Sequence, residues 1–324
     1  MHIRWGILGA GDVAERRVAD AIRGHSDSQL VAACRRNPKK LKEFCDRFDV
    51  PRAHTSDTAL IADDQIDAVY VATPVSFHRP QTIAAAQVGK HVLCEKPMAM
   101  SVSECDEMID ACHHHQVRLG VAYYRRFYPV VSRIKQLIGD GEIGEVLTVS
   151  VSCATHFSMT PQDQGYWRVQ PELGGGGSLM DIGSHRINLL LDMFGKVQDV
   201  QSFCDTTAVD YESENCASLL LRFKSGVHCN LQAVFGTPVD PDEIAIMGTR
   251  GRIVTSPLNG GGLTIQSGSN QRIEQHPPPD NFNLPLIANF VEAIKEQRPP
   301  IVSGEEGRET NIVMQRAYEQ SRSK

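Results

Sequence analysis

The stretch Ile3-Arg4-Trp5-Gly6-Ile7-Leu8-Gly9-Ala10-Gly11-Asp12-Val13-Ala14 runs a short apolar strand straight into Gly9-x-Gly11-x-x-Ala14, and the helical run Val13 to Arg23 follows. Strand, glycine turn and helix in that order are the context in which this spacing carries meaning. The glycines permit a tight turn and close approach of backbone to a pyrophosphate, whose charge the amino terminus of the next helix stabilises. The stretch predicts a dinucleotide site held by Gly9, Ala10, Gly11, Asp12 and Val13. A plain βα turn is the alternative reading.

Outward from this stretch, the first third of the chain alternates strand and helix, the pattern of a parallel sheet wound on both faces. Strands are expected at 4–8, 30–34, 68–72, 91–94 and 118–122, with helices at 39–48, 80–88 and 102–115 between them. From about Glu145 the texture changes to longer alternating runs at 147–154, 197–203, 217–223, 227–234, 243–247 and 263–265, with turns at 224–226 and 248–251. Such alternation predicts a mostly antiparallel sheet with one face covered and the other free. The expected fold is an α/β Rossmann domain, with a doubly wound parallel sheet, followed by an α+β domain with a large, mostly antiparallel open sheet. The domains are expected at 1–122 and 123–324, with the final helices, 285–324, packing back on the interface. A broad free face is commonly used for self-association, so a homodimer or homotetramer through the C-terminal sheet is expected.

Val92-Leu93-Cys94-Glu95-Lys96-Pro97 sets a lysine just past an apolar strand. Ligands of open α/β sheets bind outside the carboxyl ends of the strands. A lysine ordinarily titrates near ~10.4 and seeks water, so one held between Glu95 and Pro97 at such an end is a candidate for chemistry. An exposed Glu-Lys turn is the plainer reading. A second run, Gly174 to Gly195, is a four-glycine loop feeding an apolar helix. At about 100° per residue, Asp181, His185, Asn188 and Asp192 share one narrow stripe. A helix that apolar is expected to be buried, and its polar groups then need partners. The stripe therefore either zips to a neighbouring element or lines a wet cavity.

Together, the glycine loop, the Glu95-Lys96-Pro97 tripeptide and the segment with Asp181 and His185 resemble the glucose-fructose oxidoreductase, inositol dehydrogenase and rhizopine catabolism (Gfo/Idh/MocA) family, nearly end to end. The resemblance also takes in Thr73-Pro74 with His78, Tyr124-Arg125-Arg126-Phe127-Tyr128-Pro129, and Tyr166-Trp167-Arg168 ahead of the glycines. It implies an NAD(P)-dependent oxidoreductase that moves a hydride between nicotinamide and the hydroxyl or carbonyl carbon of a sugar, polyol or related polyhydroxylated substrate. By this resemblance Lys96, Asp181 and His185 would be the catalytic groups. Gly9, Ala10, Gly11, Asp12, Val13, Arg35, Arg36, Thr73, Pro74, His78, Glu95 and Lys96 would contact the cofactor, and Lys96, Tyr124, Arg168, Asp181 and His185 the substrate. Many members carry aspartate three residues after the histidine, where this chain has Asn188. Whether Lys96 or His185 is the terminal acid/base stays open, as does whether Asp181 orients His185 or binds substrate. Two other readings are a trans-dihydrodiol dehydrogenase or other non-sugar carbonyl reductase, which the stretch 36–44 also resembles, and a non-catalytic nucleotide-binding regulator.

Cofactor choice is read from Leu30-Val-Ala-Ala-Cys-Arg35-Arg36-Asn37-Pro38. The place of an aspartate that would bind a ribose 2′-hydroxyl and repel a 2′-phosphate holds Arg35, and Arg36 follows. A guanidinium is a planar fork matched to phosphate oxygens, and no carboxylate in this stretch opposes it. NADP(H) is expected as the preferred cofactor, with NAD(H) as the alternative if both arginines are solvated and Asn37 serves the ribose.

Bulk properties suit this reading. Across 324 residues, 33 Lys and Arg against 39 Asp and Glu give a formal charge of −6, and the cations are scattered, unlike the basic footprint of a nucleic-acid binder. No apolar run approaches the ~20 residues that span a bilayer, and the early first strand is expected to leave no room for a leader, which points to the cytoplasm. The nine cysteines are scattered and lack any CxxC pair, the pattern of reduced thiols. No metal is expected. His113-His114-His115 sits at a helix end, where consecutive residues point in different directions, and ligand-spaced Cys or His pairs are missing.

Overall fold

The computed structural model describes residues 2–322. Its first sheet contains β1 (Ile3–Leu8), β2 (Ser28–Cys34), β3 (Arg52–His54), β4 (Ala68–Val71), β5 (His91–Cys94) and β6 (Leu119–Val121), in the order β3-β2-β1-β4-β5-β6. Every pairing is parallel. Helices on both faces bury the strands on both sides, which is why β4 reads Ala-Val-Tyr-Val with all four residues buried. The connecting helices begin where the sequence offers caps. Asn37 accepts the Lys40 N–H ahead of Pro38–Phe48, and Ser101 accepts the Glu104 N–H ahead of Val102–His114. The winding reverses between β1 and β4, so the loops leaving these strands open the crevice in which such sheets bind ligands.

Two compact units divide the chain. The first holds this sheet up to Tyr124 and also Asp280–Arg308, so part of the segment assigned from sequence to the second domain belongs to the first. The reason is packing: the helix Leu284–Lys295 brings Phe290 against the fully buried Trp5, with ring centroids 5.7 Å apart. The glycine-loop helix also departs from a uniform α-helix, passing through a wide π-type turn, Ala14–Val18, before Ala19–Arg23.

The second unit is Arg125–Pro279 with the residues from Glu309 onward. Its sheet contains β7 (Val146–Thr155), β8 (Val197–Asp205), β9 (Cys216–Phe223), β10 (His228–Phe235), β11 (Asp242–Gly248), β12 (Gly251–Thr255), β13 (Gly262–Ser267) and β14 (Asn270–Gln275). The order is β14-β13-β12-β11-β7-β10-β9-β8, antiparallel except between β7 and β10. Alternation sorts the two faces: in β9, Ala217, Leu219, Leu221 and Phe223 are buried while Ser218, Leu220 and Arg222 face outward. The helix Ser184–Phe194 and the turn before it cover the inner face, where Phe194 meets Phe223 at 5.7 Å and the Ser178 hydroxyl donates to the Ala233 carbonyl at 2.9 Å. β3, β12 and β14 were not expected from the sequence. The segment Tyr166–Val169 is a short 3-10 turn.

All nine cysteines are free thiols. Among the described residues no helix is long and apolar enough to cross a membrane, and no group of three or more His, Cys, Asp or Glu is placed to hold a metal ion.

Candidate active site

In the first unit, the loops leaving β1, β2, β4 and β5 at the carboxyl edge carry Gly9, Arg35, Thr73 and Lys96. The β1 loop is folded tightly. The Gly9 and Ala10 N–H groups both donate to the Cys34 carbonyl (3.2 and 2.9 Å), and Gly11 N–H donates to the Gly9 carbonyl at 2.7 Å. Gly9 has φ +79°, and a Cβ there would stand 2.8 Å from the Ala72 carbonyl group, so only glycine fits this turn. Asp12 is exposed and pairs with Arg16 at 2.6 Å; Val13 is half-buried on the same helix start.

Arg35 corrects one expectation. Its guanidinium donates to the Ala10 carbonyl (2.9 Å) and to Glu15 (2.7 Å). A carboxylate therefore does oppose it, supplied from the first helix and not from the strand's own sequence. Arg36 is exposed.

Thr73 and Pro74 are half-buried, and the Thr73 hydroxyl donates to Gln81 at 2.6 Å. His78 is fully buried; one ring nitrogen lies 2.9 Å from the Thr73 carbonyl and the other 3.0 Å from that of Pro97. It braces the β4 and β5 loops against each other. Burial also pushes its pKa down. Glu95 likewise turns inward: its carboxylate accepts the Tyr70 hydroxyl (2.8 Å) and the Lys96 N–H (3.1 Å), and Asn283 donates to the Tyr70 oxygen at 3.2 Å. Lys96, in contrast, is half-buried at the loop surface. Tyr124, expected to touch substrate, is 6% exposed, and its ring stacks on Phe282 at 5.9 Å with the Arg17 guanidinium 4.9 Å from its centroid.

In the second unit, Arg168 and Asp181 come together at 3.8 Å, with the Arg168 guanidinium also lying over the Trp167 ring. Asp181 sits in a second π-type turn, Leu179–Gly183, which runs into the helix carrying His185. His185 is 4% exposed and Asn188 1%. The rest of the polar stripe is a structural zipper: Asn188 donates to Thr310 at 3.1 Å, and Asp192 pairs with Arg126 (3.0 Å) and Lys135 (2.9 Å). The start of this helical segment is fixed by Glu214, whose buried carboxylate accepts the N–H groups of Gly177 and Leu179 and the Tyr318 hydroxyl at 2.8–2.9 Å. Burial raises its pKa against these donors.

Sequence reading missed Glu15, Tyr70, Asn283 and Glu214. Each acts on a residue far along the chain, and only an acidic residue early in the helix after the glycine loop gave a visible hint of Glu15.

Comparison with known proteins follows these two sets of residues. Residues 3–123 match the oxidoreductase family with an NAD-binding Rossmann fold, and residues 131–254 match the GFO/IDH/MocA C-terminal domain. An oxidoreductase of Formosa agariphila is 34% identical over 90% of both chains. The 1,5-anhydro-D-fructose reductase of Ensifer adhaerens is 30% identical over 94% of this chain and 92% of its own. The aldose-aldose oxidoreductase from Caulobacter crescentus, solved with glycerol, superposes with a TM-score of 0.91 at 30% identity, covering 100% of this chain and 98% of its own. With a parallel nucleotide-binding sheet, a large antiparallel sheet and full-length likeness to such enzymes, the chain belongs to the Gfo/Idh/MocA family of oxidoreductases.

Proposed function

We propose that the protein is an NADP(H)-preferring dehydrogenase or reductase that interconverts CH–OH and C=O at a carbon of a sugar, polyol or related polyhydroxylated substrate. The observation that carries this reading is the gathering of Gly9, Arg35, Thr73 and Lys96 on the carboxyl-edge loops of one parallel sheet, where such sheets bind ligands. A nicotinamide dinucleotide fits the residues present, because the Gly9 turn has no room for a Cβ and leads into a helix amino terminus. Gly9 to Val13 would hold its pyrophosphate, Arg35 and Arg36 its 2′ position, and Thr73 and Pro74 its nicotinamide half. When bound, the cofactor supplies or accepts the hydride. The relatives' names, a sugar reductase and an aldose oxidoreductase, support the substrate class.

The protein's own part is to move a proton. In reduction, negative charge grows on the substrate oxygen, and Lys96 and His185 are assigned to hydrogen-bond that oxygen and protonate it. In oxidation the same groups withdraw the proton. Asp181, half-buried beside Arg168, is assigned to hold a neighbouring hydroxyl or to orient His185. Work in the cytoplasm, a reducing compartment, is consistent with nine free thiols. Self-association through the open face of the second sheet completes the reading.

A panel of aldoses, inositols and ketosugars followed at the nicotinamide absorbance band tests the activity. With a substrate in hand, Lys96→Met is expected to lower kcat by about 10²–10⁴-fold while dinucleotide binding survives. His185→Asn is expected to slow turnover and remove an ionisation from the pH-rate profile. Near-normal turnover of Lys96→Met overturns its assignment, and an unchanged profile in His185→Asn leaves the proton to Lys96.

A further inference from the structure

One ion pair joins the end of β2 to the first helix. Arg35 Nη1 stands 2.7 Å from Glu15 Oε1 and 2.9 Å from the Ala10 carbonyl oxygen. The Arg35 side chain is 12% exposed and that of Glu15 34%, so water screens the pair only in part. The two acceptors act on Arg35 differently. The Ala10 carbonyl is fixed by the glycine loop and holds the fork in place. The Glu15 carboxylate neutralises the fork's charge and competes with any anion for the same nitrogen.

We propose that Glu15 sets cofactor selectivity: it restrains the preference of Arg35 for a 2′-phosphorylated dinucleotide, so that the protein accepts both NADP(H) and NAD(H). The inference rests on the assignment of Arg35 to the 2′ position made above. A 2′-phosphate is repelled by a carboxylate beside its binding fork, whereas an uncharged ribose hydroxyl is not. Removing Glu15 leaves Arg35 held by the Ala10 carbonyl, with one carboxylate fewer beside its fork. Arg36, exposed and common to every variant, contributes equally throughout.

The test is the pair of dissociation constants for NADP+ and NAD+, measured by titration calorimetry on the full chain as wild type, Glu15→Gln, Arg35→Ala and the double variant. Thermal midpoints check that each is folded. Glu15→Gln is expected to raise the ratio of NADP+ to NAD+ affinity by about tenfold, the scale of one partly screened charge pair, nearly all of it through tighter NADP+ binding. In the Arg35→Ala background the same substitution is expected to leave the ratio within about twofold. A ratio that stays constant or falls in Glu15→Gln overturns the proposal, as does an equal rise without Arg35. A wild type that binds NAD+ more tightly overturns only the NADP(H) preference, and the sign of the Glu15 effect still decides this inference.

Discussion

At the scale of single residues, the carboxylate of Glu95 is held on two sides, by the Tyr70 hydroxyl and by the N–H of Lys96. Burial and the neighbouring carboxylate raise the Tyr70 pKa well above its ordinary value, so the phenol keeps its proton and remains a donor. Tyr70→Phe preserves the ring but leaves a buried carboxylate one donor short, at an expected cost of about 1–3 kcal/mol in urea unfolding. The Lys96 backbone is tied to that carboxylate, so kcat is expected to fall more than dinucleotide affinity. Equal losses in both would reduce Tyr70 to a packing role. The Glu95-Lys96-Pro97 tripeptide is the feature by which the sequence singled out this loop. The inward direction of Glu95 was not legible, because Tyr70 lies 25 positions before it and Asn283 lies 213 positions after Tyr70. The same holds for Arg35, whose opposing carboxylate sits 20 positions earlier.

At the scale of elements, both stretches to which cofactor binding and chemistry are assigned pass through a π-type turn: Ala14–Val18 after the glycine loop, and Leu179–Gly183 with Asp181. Such turns hold more residues than an α-turn and recur at functional sites. The sequence stripe assumed 100° per residue throughout, so it placed His185 and Asn188 correctly on the buried helix but could not foresee the altered rotation at Asp181. β14, reading Asn-Gln-Arg-Ile-Glu-Gln, escaped detection because an edge strand exposed on both faces needs little apolar alternation. Helix entry in the second unit depends on close backbone approach. A Cβ on Gly177 would fall 1.9 Å from the Glu214 carbonyl oxygen, so Gly177→Ala is expected to displace the loop and lower the melting temperature by several degrees. An unshifted melt would show that the loop relaxes freely. Glu214 adds a pH signature. Its folded pKa is raised by burial, so its contribution to stability is greatest below the unfolded value of ~4.3 and is lost as pH rises through the folded value. Over that window the wild type is expected to lose stability relative to Glu214→Gln, and parallel stability curves for the two would overturn the assignment.

At the scale of the whole molecule, the first sheet was legible from short apolar strands alternating with helical runs, and the second from strand alternation, which reports one covered face and one open face. The membership of Asp280–Arg308 in the first unit was not legible, since an amphipathic helix shows that it packs but not against which partner. The open face of the second sheet carries the remaining prediction. One row of paired residues crosses all eight strands: Ile273, Thr264, Val254, Ala245, Ser150, Asn230, Leu220 and Gln201. None of the eight is charged, and Ile273 and Leu220 are 68% and 64% exposed. Phe203 adds a further exposed aromatic on β8. Eight strands at ~4.8 Å spacing and ~17 Å length offer roughly 650 Å² of flat area, close to the ~800 Å² that each partner buries in a standard interface. A charge-free row at the middle of so broad a face favours pairing with a second copy, because desolvating it leaves no unpaired charge. Leu220→Lys places an ammonium in that row, where a two-fold contact would bring two such charges toward each other. It is expected to halve the mass seen by sedimentation equilibrium while leaving dinucleotide affinity within about twofold, since the substitution is confined to a surface position. An assembly of unchanged mass would move the interface to another surface, and a wild type that sediments as a monomer would end the proposal.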